Sequence, residues 1–349
     1  MTDLSSEVNH QLRLARRPVG LVTPDDFTPA TEAVPDLAEG EALMRTVYLG
    51  MDATVRTWLN RGEGYLPAVG IGEVVRCSGI GRVVATRCPA YEVGDVAYSL
   101  PGWQDYAVIR DDMFTTKIED VTDLRSMMSV FGATGAAAYF GLLDIGHVQA
   151  GETVVVSAAG GATGSIAGQI AKIKGCRVVG IAGSDDKCAW VVDELGFDGC
   201  INHRTADLAR ELAELCPDRV DVYFDNVGGA ILDAVLGRLN QHGRVVLCGA
   251  ISAYNDQGRP PGPANYLNLI SRRGRMEGFI TLDYWDRFPE CFEQLRQWAD
   301  EGRLHWREQV FEGLESAPEA LNALFTGANT GKVIVQLTGD EVATGGSTT

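Results

Sequence analysis

An α/β fold is predicted, with a doubly wound parallel sheet of six strands joined to a β-rich, barrel-like domain. Three observations predict it. Val154-Val155-Val156-Ser157 runs through Ala158-Ala159-Gly160-Gly161-Ala162-Thr163-Gly164 into a small-residue stretch without proline. Strand-like and helix-like patterns then alternate to about residue 300. Before about residue 126 the chain shows short alternating segments separated by turn residues, and such segments return near its end.

In chain order, residues 42–49 alternate as a strand does, and 81–86, 95–98 and 104–109 read as further short strands. An antiparallel, barrel-like domain is their natural product. From Phe131 the period changes, and 134–143 reads as a helix ending near Gly146. Strands are predicted over 153–157, 177–181, 199–202, 220–224, 244–248 and 275–280, with helices over 163–174, 185–195, 205–215, 229–239 and 286–300. The unbroken β-branched run at 154–156 suits a strand covered on both faces. Residues 332–337 form a last strand that returns to the first domain. The domains are therefore expected at 1–126 with 303–349, and at 127–302. The tail 343–349 cannot bury a core and is expected to be mobile.

The length of 349 residues fits two domains, and 45% apolar with 22% charged residues is ordinary for a globular protein. A formal net charge of −17 without a compensating basic block argues against nucleic acid or an anionic membrane as partner. Residues 1–15 lack the apolar centre of a signal peptide, and no run reaches the roughly 18 apolar residues of a membrane span. Eight cysteines are scattered with no C-x-x-C, which points to a reduced, cytoplasmic protein.

Ala159, Gly161 and Gly164 read as A-x-G-x-x-G, the dinucleotide-binding Rossmann fingerprint with alanine in the first glycine's place. A bare glycine turn between strand and helix would look the same. An NAD site usually places an acid at the end of the second strand. Here Ala182 and Gly183 stand there, with Ser184 and Lys187 beyond, a pocket that suits a 2′-phosphate and therefore NADPH. Asp185 and Asp186 suit the first turn of a helix, and Lys187 is alternatively a solvated helix lysine. Asn226, after the fourth strand, serves either the nicotinamide ribose or the next helix as a cap. Tyr254, after the fifth, either offers its phenol to a substrate carbonyl or packs against the other domain.

These segments, with Leu142-Leu143-Asp144-Ile145-Gly146 and Ala328-Asn329-Thr330-Gly331-Lys332, resemble the zinc-independent medium-chain dehydrogenase/reductase superfamily. Within it the chain is similar to the prostaglandin reductase, leukotriene B4 12-hydroxydehydrogenase and curcumin reductase group. The resemblance implies a GroES-like β-rich domain, a homodimer, and NADPH-dependent reduction of the C=C bond of α,β-unsaturated ketones and aldehydes. It implies nucleotide contacts at Gly161, Ala162, Thr163, Gly164, Lys187, His203 and Asn226. Further contacts are implied at Cys248, Gly249, Ala250, Ile251, Ser252 and Tyr254, and at Phe279, Ile280, Thr281 and Asn329. The chain departs from the group's pattern at His203, where tyrosine is usual, and at Thr54 in Asp52-Ala53-Thr54-Val55-Arg56, where an aromatic is lost.

Zinc enzymes of the superfamily carry Gly-His-Glu. Here Gly70-Ile71-Gly72-Glu73 has glycine at the histidine position, Cys77 and Cys88 are isolated, and His10, His147, His203, His242 and His305 make no close pair, so no metal is expected. Hydride delivery to the β-carbon leaves charge on the carbonyl oxygen. The expected donors to it are the nicotinamide ribose 2′-hydroxyl and Tyr254 or Tyr65, the latter otherwise a loop-packing residue. Arg56 joins both tyrosines in the expected substrate pocket. A quinone reductase using the same cofactor, or an idle NADPH-binding or sensing protein, are the alternatives.

Overall fold

A computed structural model describes residues 7–62, 64–119, 123–256, 258 and 260–338. The tail expected to be mobile lies outside the described residues. The chain opens with β1 (Val8–Leu14) and β2 (Phe27–Ala33), an antiparallel pair apart from the two larger sheets. Apolar alternation does not reveal β1, because two of its inward positions are polar. Asn9 and Gln11 are buried, Asn9 Nδ2 donating to the Tyr106 carbonyl (2.9 Å) and Gln11 Nε2 to Gln104 Oε1 (2.9 Å).

There follow β3 (Glu41–Met51), α1 (Thr54–Trp58), β4 (Ser78–Thr86), β5 (Val96–Ser99), β6 (Tyr106–Arg110) and β7 (Thr116–Ile118). Next come α2 (Leu124–Met128) and α3 (Ala133–Phe140), which runs on as a π-helical turn, Gly141–Ile145, closed by Gly146 N–H donating to the Gly141 carbonyl. The second region is β8 (Thr153–Ser157), α4 (Ala162–Ile173), β9 (Arg177–Ala182), α5 (Asp185–Asp193), β10 (Gly199–Asn202), α6 (Leu208–Leu215), β11 (Val220–Asp225), α7 (Gly229–Gly237), β12 (Leu239–Leu247), α8 (Asn268–Arg272), β13 (Arg275–Gly278) and α9 (Phe288–Asp300). The last elements among the described residues are β14 (Glu308–Glu312), α10 (Ala317–Thr326) and β15 (Lys332–Gln336).

Strands β8 to β13 form the predicted parallel sheet in the order β10-β9-β8-β11-β12-β13. Val154, Val155 and Val156 of β8 are fully buried, as a strand packed between two helical layers requires. The order reverses between β8 and β11, and open α/β sheets bind ligands beyond the strand carboxyl ends at such a switch point. The helix expected from 205 starts at Leu208, because Asp207 accepts the Arg210 amide and caps it there. The strand expected over 275–280 ends at Gly278, which frees Phe279 and Ile280 from the ladder.

The other sheet runs β14-β15-β3-β4-β5-β7, with β6 also on β3. It is mixed and not purely antiparallel. Helix α10 joins β14 to β15 as a crossover, and a crossover delivers parallel strands.

Candidate active site

At the carboxyl edge of the parallel sheet lies a cavity of about 630 Å³. Its wall is shared by the β8–α4 loop, the ends of β9 and β11, the loop after β12, helix α1 and the 327–333 segment. The glycine loop forms the floor. Gly161 is the extended N-cap of α4, so the amides of Ala162, Thr163 and Gly164 have no acceptor within the helix, and the first bond is Ser165 N–H to the Gly161 carbonyl (3.0 Å). A Cβ at position 164 would sit 2.3 Å from the Ala158 carbonyl oxygen, so only glycine lets the helix start this close to the strand end. Gly331, at φ +70°, donates its amide to the Gly160 carbonyl (2.9 Å), which ties the loop to the start of β15.

Beyond β9 three basic groups gather, Arg204 and His203 beside Gly183 and Lys187 beside Arg204 at Gly327. A Cβ at position 183 would lie 3.5 Å from Arg204 Nε and 3.6 Å from His203 Nε2. Lys187 Nζ donates to the Gly327 carbonyl (3.0 Å) and Arg204 Nη2 to the Thr326 carbonyl (2.6 Å), both at the carboxyl end of α10. Those carbonyls orient the cations without cancelling their charge. Burial, then Arg204, pushes Lys187 down; burial, then Arg204 and Lys187, does the same to His203. None of the three forms an ion pair among the described residues, and Asp185 is engaged by Asn202 Nδ2 (2.8 Å). A concentrated positive field with no counter-ion is a site for a phosphate.

The opposite wall is built around Asp225. This buried carboxylate accepts from Tyr223 Oη (2.7 Å), Ser157 Oγ (3.1 Å) and the amides of Val227 and Gly228 (2.9 Å each). Asn226 lines the cavity; its Nδ2 donates to the Ser157 carbonyl (2.7 Å), so it does not cap α7, and its Oδ1 has no hydrogen-bond partner among the described residues. The loop after β12 is stitched to this turn through the amides of Cys248, Gly249, Ile251 and Ser252. Within it Tyr254 Oη accepts from the Ala250 amide (3.0 Å), which leaves the phenol's own proton to donate.

Tyr65 Oη lies 2.7 Å from Thr54 Oγ1, and its ring meets Trp58 edge-on at 6.2 Å. Burial pushes both phenols above their ordinary range, and Tyr254 itself adds to the rise at Tyr65. Two neutral hydroxyl donors therefore face one cavity. Around them Met51, Leu66, Phe114, Trp285, Phe288 and Phe292 make an apolar wall.

Residues 10–118 match the family described as the N-terminal domain of oxidoreductase, and residues 162–300 match the family described as zinc-binding dehydrogenase. The NADPH-dependent curcumin reductase of Escherichia coli is 40% identical over 338 residues, 95% of this chain and 98% of that one. The 2-alkenal reductase (NADP(+)-dependent) of Nicotiana tabacum is 37% identical over 85% of this chain and 87% of its own. The crystal structure of CurA in complex with NADPH from Vibrio vulnificus superposes with a TM-score of 0.90 at 41% identity, over 95% of this chain and 99% of that one. The chain belongs to the zinc-independent group of the medium-chain dehydrogenase/reductase superfamily.

For a member of this group the predicted residues converge well. Gly161, Ala162, Thr163, Gly164, Lys187, His203, Asn226, Cys248, Gly249, Ile251, Ser252, Tyr254, Phe279, Ile280, Thr281, Asn329 and Tyr65 all line the cavity. Four do not. Ala159 is fully buried beneath the loop, its amide donating to the Ile181 carbonyl. Ser184 caps α5 by accepting the Lys187 amide (3.3 Å). Ala250 contributes its amide to Tyr254 and not a wall. Arg56, expected in the substrate pocket, is fully buried behind it, where its guanidinium holds backbone and asparagine oxygens.

Two charged cavity residues were missed from sequence. Lys332 and Asp52 form an ion pair in the wall, the lysine buried and the aspartate half-buried, joining β15 to the end of β3. The signal was present, since a lysine in the otherwise apolar run of β15 has to find a counter-ion. Among the described residues no three His, Cys, Asp or Glu side chains gather as metal ligands would.

Proposed function

We propose that the protein is an NADPH-dependent oxidoreductase that reduces the C=C bond of α,β-unsaturated ketones and aldehydes without a metal. The observation that carries the reading is one cavity with an unneutralised cationic cluster at one end and two neutral phenols in an apolar wall at the other. The 40% identical relative that names both NADPH and a reductase activity supports it.

The residues fit the dinucleotide. The amides at the start of α4 suit its pyrophosphate, Lys187, His203 and Arg204 its 2′-phosphate, and Asn226 Oδ1 a ribose hydroxyl. When bound, the cofactor supplies the hydride. The chain's own part is to seat the conjugated carbonyl against the apolar wall, to exclude water, and to direct the Tyr254 and Tyr65 protons at the oxygen on which charge collects. The proposed division is a nucleotide-binding domain over 127–302 and a substrate domain made of 1–126 and 303–349.

The test is NADPH oxidation against a panel of enones, enals and quinones with product analysis. Saturated ketones and aldehydes are expected. An allylic alcohol as product, or turnover of quinones alone, would refute the reading. Lys187→Ala and Arg204→Ala are each expected to raise KM for NADPH on the order of 10- to 100-fold, the loss of one charge-assisted hydrogen bond, and to leave KM for NADH within about twofold. Equal effects on both cofactors would remove the cluster from phosphate recognition.

The proposed assembly is a homodimer in the cytoplasm. β13 is the outer strand of its sheet, and beside it Tyr266, Leu267 and Ile270 are exposed, Ile270 at 73%. An antiparallel pairing of β13 with a second copy sets Arg275 across from Glu277, a self-complementary arrangement. Ile270→Asp with Leu267→Asp is expected to halve the mass measured by light scattering; an unchanged mass would place the interface elsewhere. All eight cysteines are unpaired, as a reducing compartment keeps them, and no helix among the described residues is long and apolar enough to cross a membrane.

A further inference from the structure

The guanidinium of Arg56 is completely buried and forms no ion pair among the described residues. Its hydrogen bonds go only to neutral oxygens, from three separate segments, while the Asp26 carboxylate acts on its charge from further off. Nε donates to Asn255 Oδ1 (2.9 Å) and to the Gly20 carbonyl (3.2 Å). Nη1 donates to Asn60 Oδ1 (2.5 Å), and Nη2 to the carbonyls of Pro18 and Gly20 (3.1 Å each). Asn60 Nδ2 in turn reaches the Tyr254 carbonyl (3.4 Å). Burying a cation with no carboxylate in direct contact is costly, and a rigid fork of five N–H donors is the side chain best able to satisfy so many acceptors at once.

The segments so fastened are informative. Pro18–Gly20 and α1 precede the parallel sheet, whereas Tyr254 and Asn255 belong to the loop that leaves its fifth strand in the chain, β12. The same short helix, α1, carries Thr54, which holds the Tyr65 hydroxyl, and Trp58, which holds the Tyr65 ring. Both phenols are therefore referred to one element, Tyr65 directly and Tyr254 through the guanidinium.

We propose that Arg56 is a positioning residue that latches the Tyr254 loop to α1 and so sets the place of the Tyr254 hydroxyl relative to that of Tyr65. The proposal rests on the reading of Tyr254 as a donor to the substrate. It is tested from the far side of the latch, at Asn255, because removing Arg56 itself could prevent folding. Asn255→Leu removes one acceptor and leaves the guanidinium its carbonyls and Asn60.

In steady-state assays at saturating NADPH, Asn255→Leu is expected to lower kcat on the order of 10- to 100-fold, with KM for NADPH within about twofold of the parent. Asn255→Asp, which keeps the acceptor, is expected to retain most of the activity. Tyr254→Phe with Asn255→Leu is expected to be no slower than Tyr254→Phe alone, since a latch acts only through the hydroxyl it places. Parental kcat in Asn255→Leu, a multiplied loss in the double variant, or no rescue by aspartate would each overturn the latch. A Tyr254→Phe enzyme at full kcat would instead overturn the donor reading on which it rests.

Discussion

Tyr254→Phe is expected to lower kcat on an accepted enone by about 10²- to 10³-fold, the usual cost of deleting one oxyanion donor. The Tyr254 oxygen already accepts from the Ala250 amide, so the proton left to it is for donation, and phenylalanine removes that donor together with the acceptor of the Ala250 amide. The ring's packing survives, and KM for NADPH should stay within about twofold. Burial raises the phenol above its ordinary value of 10.0, so the protonated donor is present below that raised value and is lost only as pH climbs through it. This group therefore imposes no fall in kcat between about pH 6 and 9. Steady-state kinetics across that range with saturating NADPH make the check; a variant as fast as the parent would take Tyr254 out of the chemistry.

Asp52→Ala is expected to destabilise the protein by about 3–5 kcal/mol, because it strands the Lys332 ammonium, 3% exposed, without its counter-ion. Ser78 Oγ, 3.5 Å from Asp52 and itself a neutral group, cannot replace it. Lys332→Met should cost less, since the Asp52 side chain it leaves behind is 27% exposed and reaches water. Removing both charges, as Asp52→Ala with Lys332→Met, should recover much of the loss, for no unpaired ion then remains. Thermal melts make the comparison, the single aspartate change being worth on the order of 10 °C. A melting point for Asp52→Ala equal to the parent's would show that the ammonium is satisfied some other way.

The parallel sheet was legible because its cues are local. A β-branched run, a glycine turn and an amphipathic stretch each declare themselves within a dozen residues, and the strand predicted at 153–157 coincides with β8. Gly164 was legible for a similar reason, since a tight strand-to-helix turn tolerates little else. β1 was not, because its inward Asn9 and Gln11 are satisfied by residues more than ninety positions away. The parallel pairing of β14 with β15 was hidden in the same way, as it depends on which face of the sheet α10 crosses.

Within the site, the residue types were readable and several of their duties were not. Arg56 looked like a pocket cation, and only its burial and its bond to Asn255, 199 positions along, make it a latch. Thr54 looked like a lost aromatic, and in the structure its hydroxyl is the partner of Tyr65. Composition, period and short spacings determined the α/β class, the dinucleotide loop and the basic character of the second strand's end, because those follow from interactions between near neighbours. Tertiary structure alone decided which cations lack a counter-ion, which tyrosine protons are free, and what the buried charges hold, because a polar group's task is set by the partners that distant chain segments bring within hydrogen-bond reach.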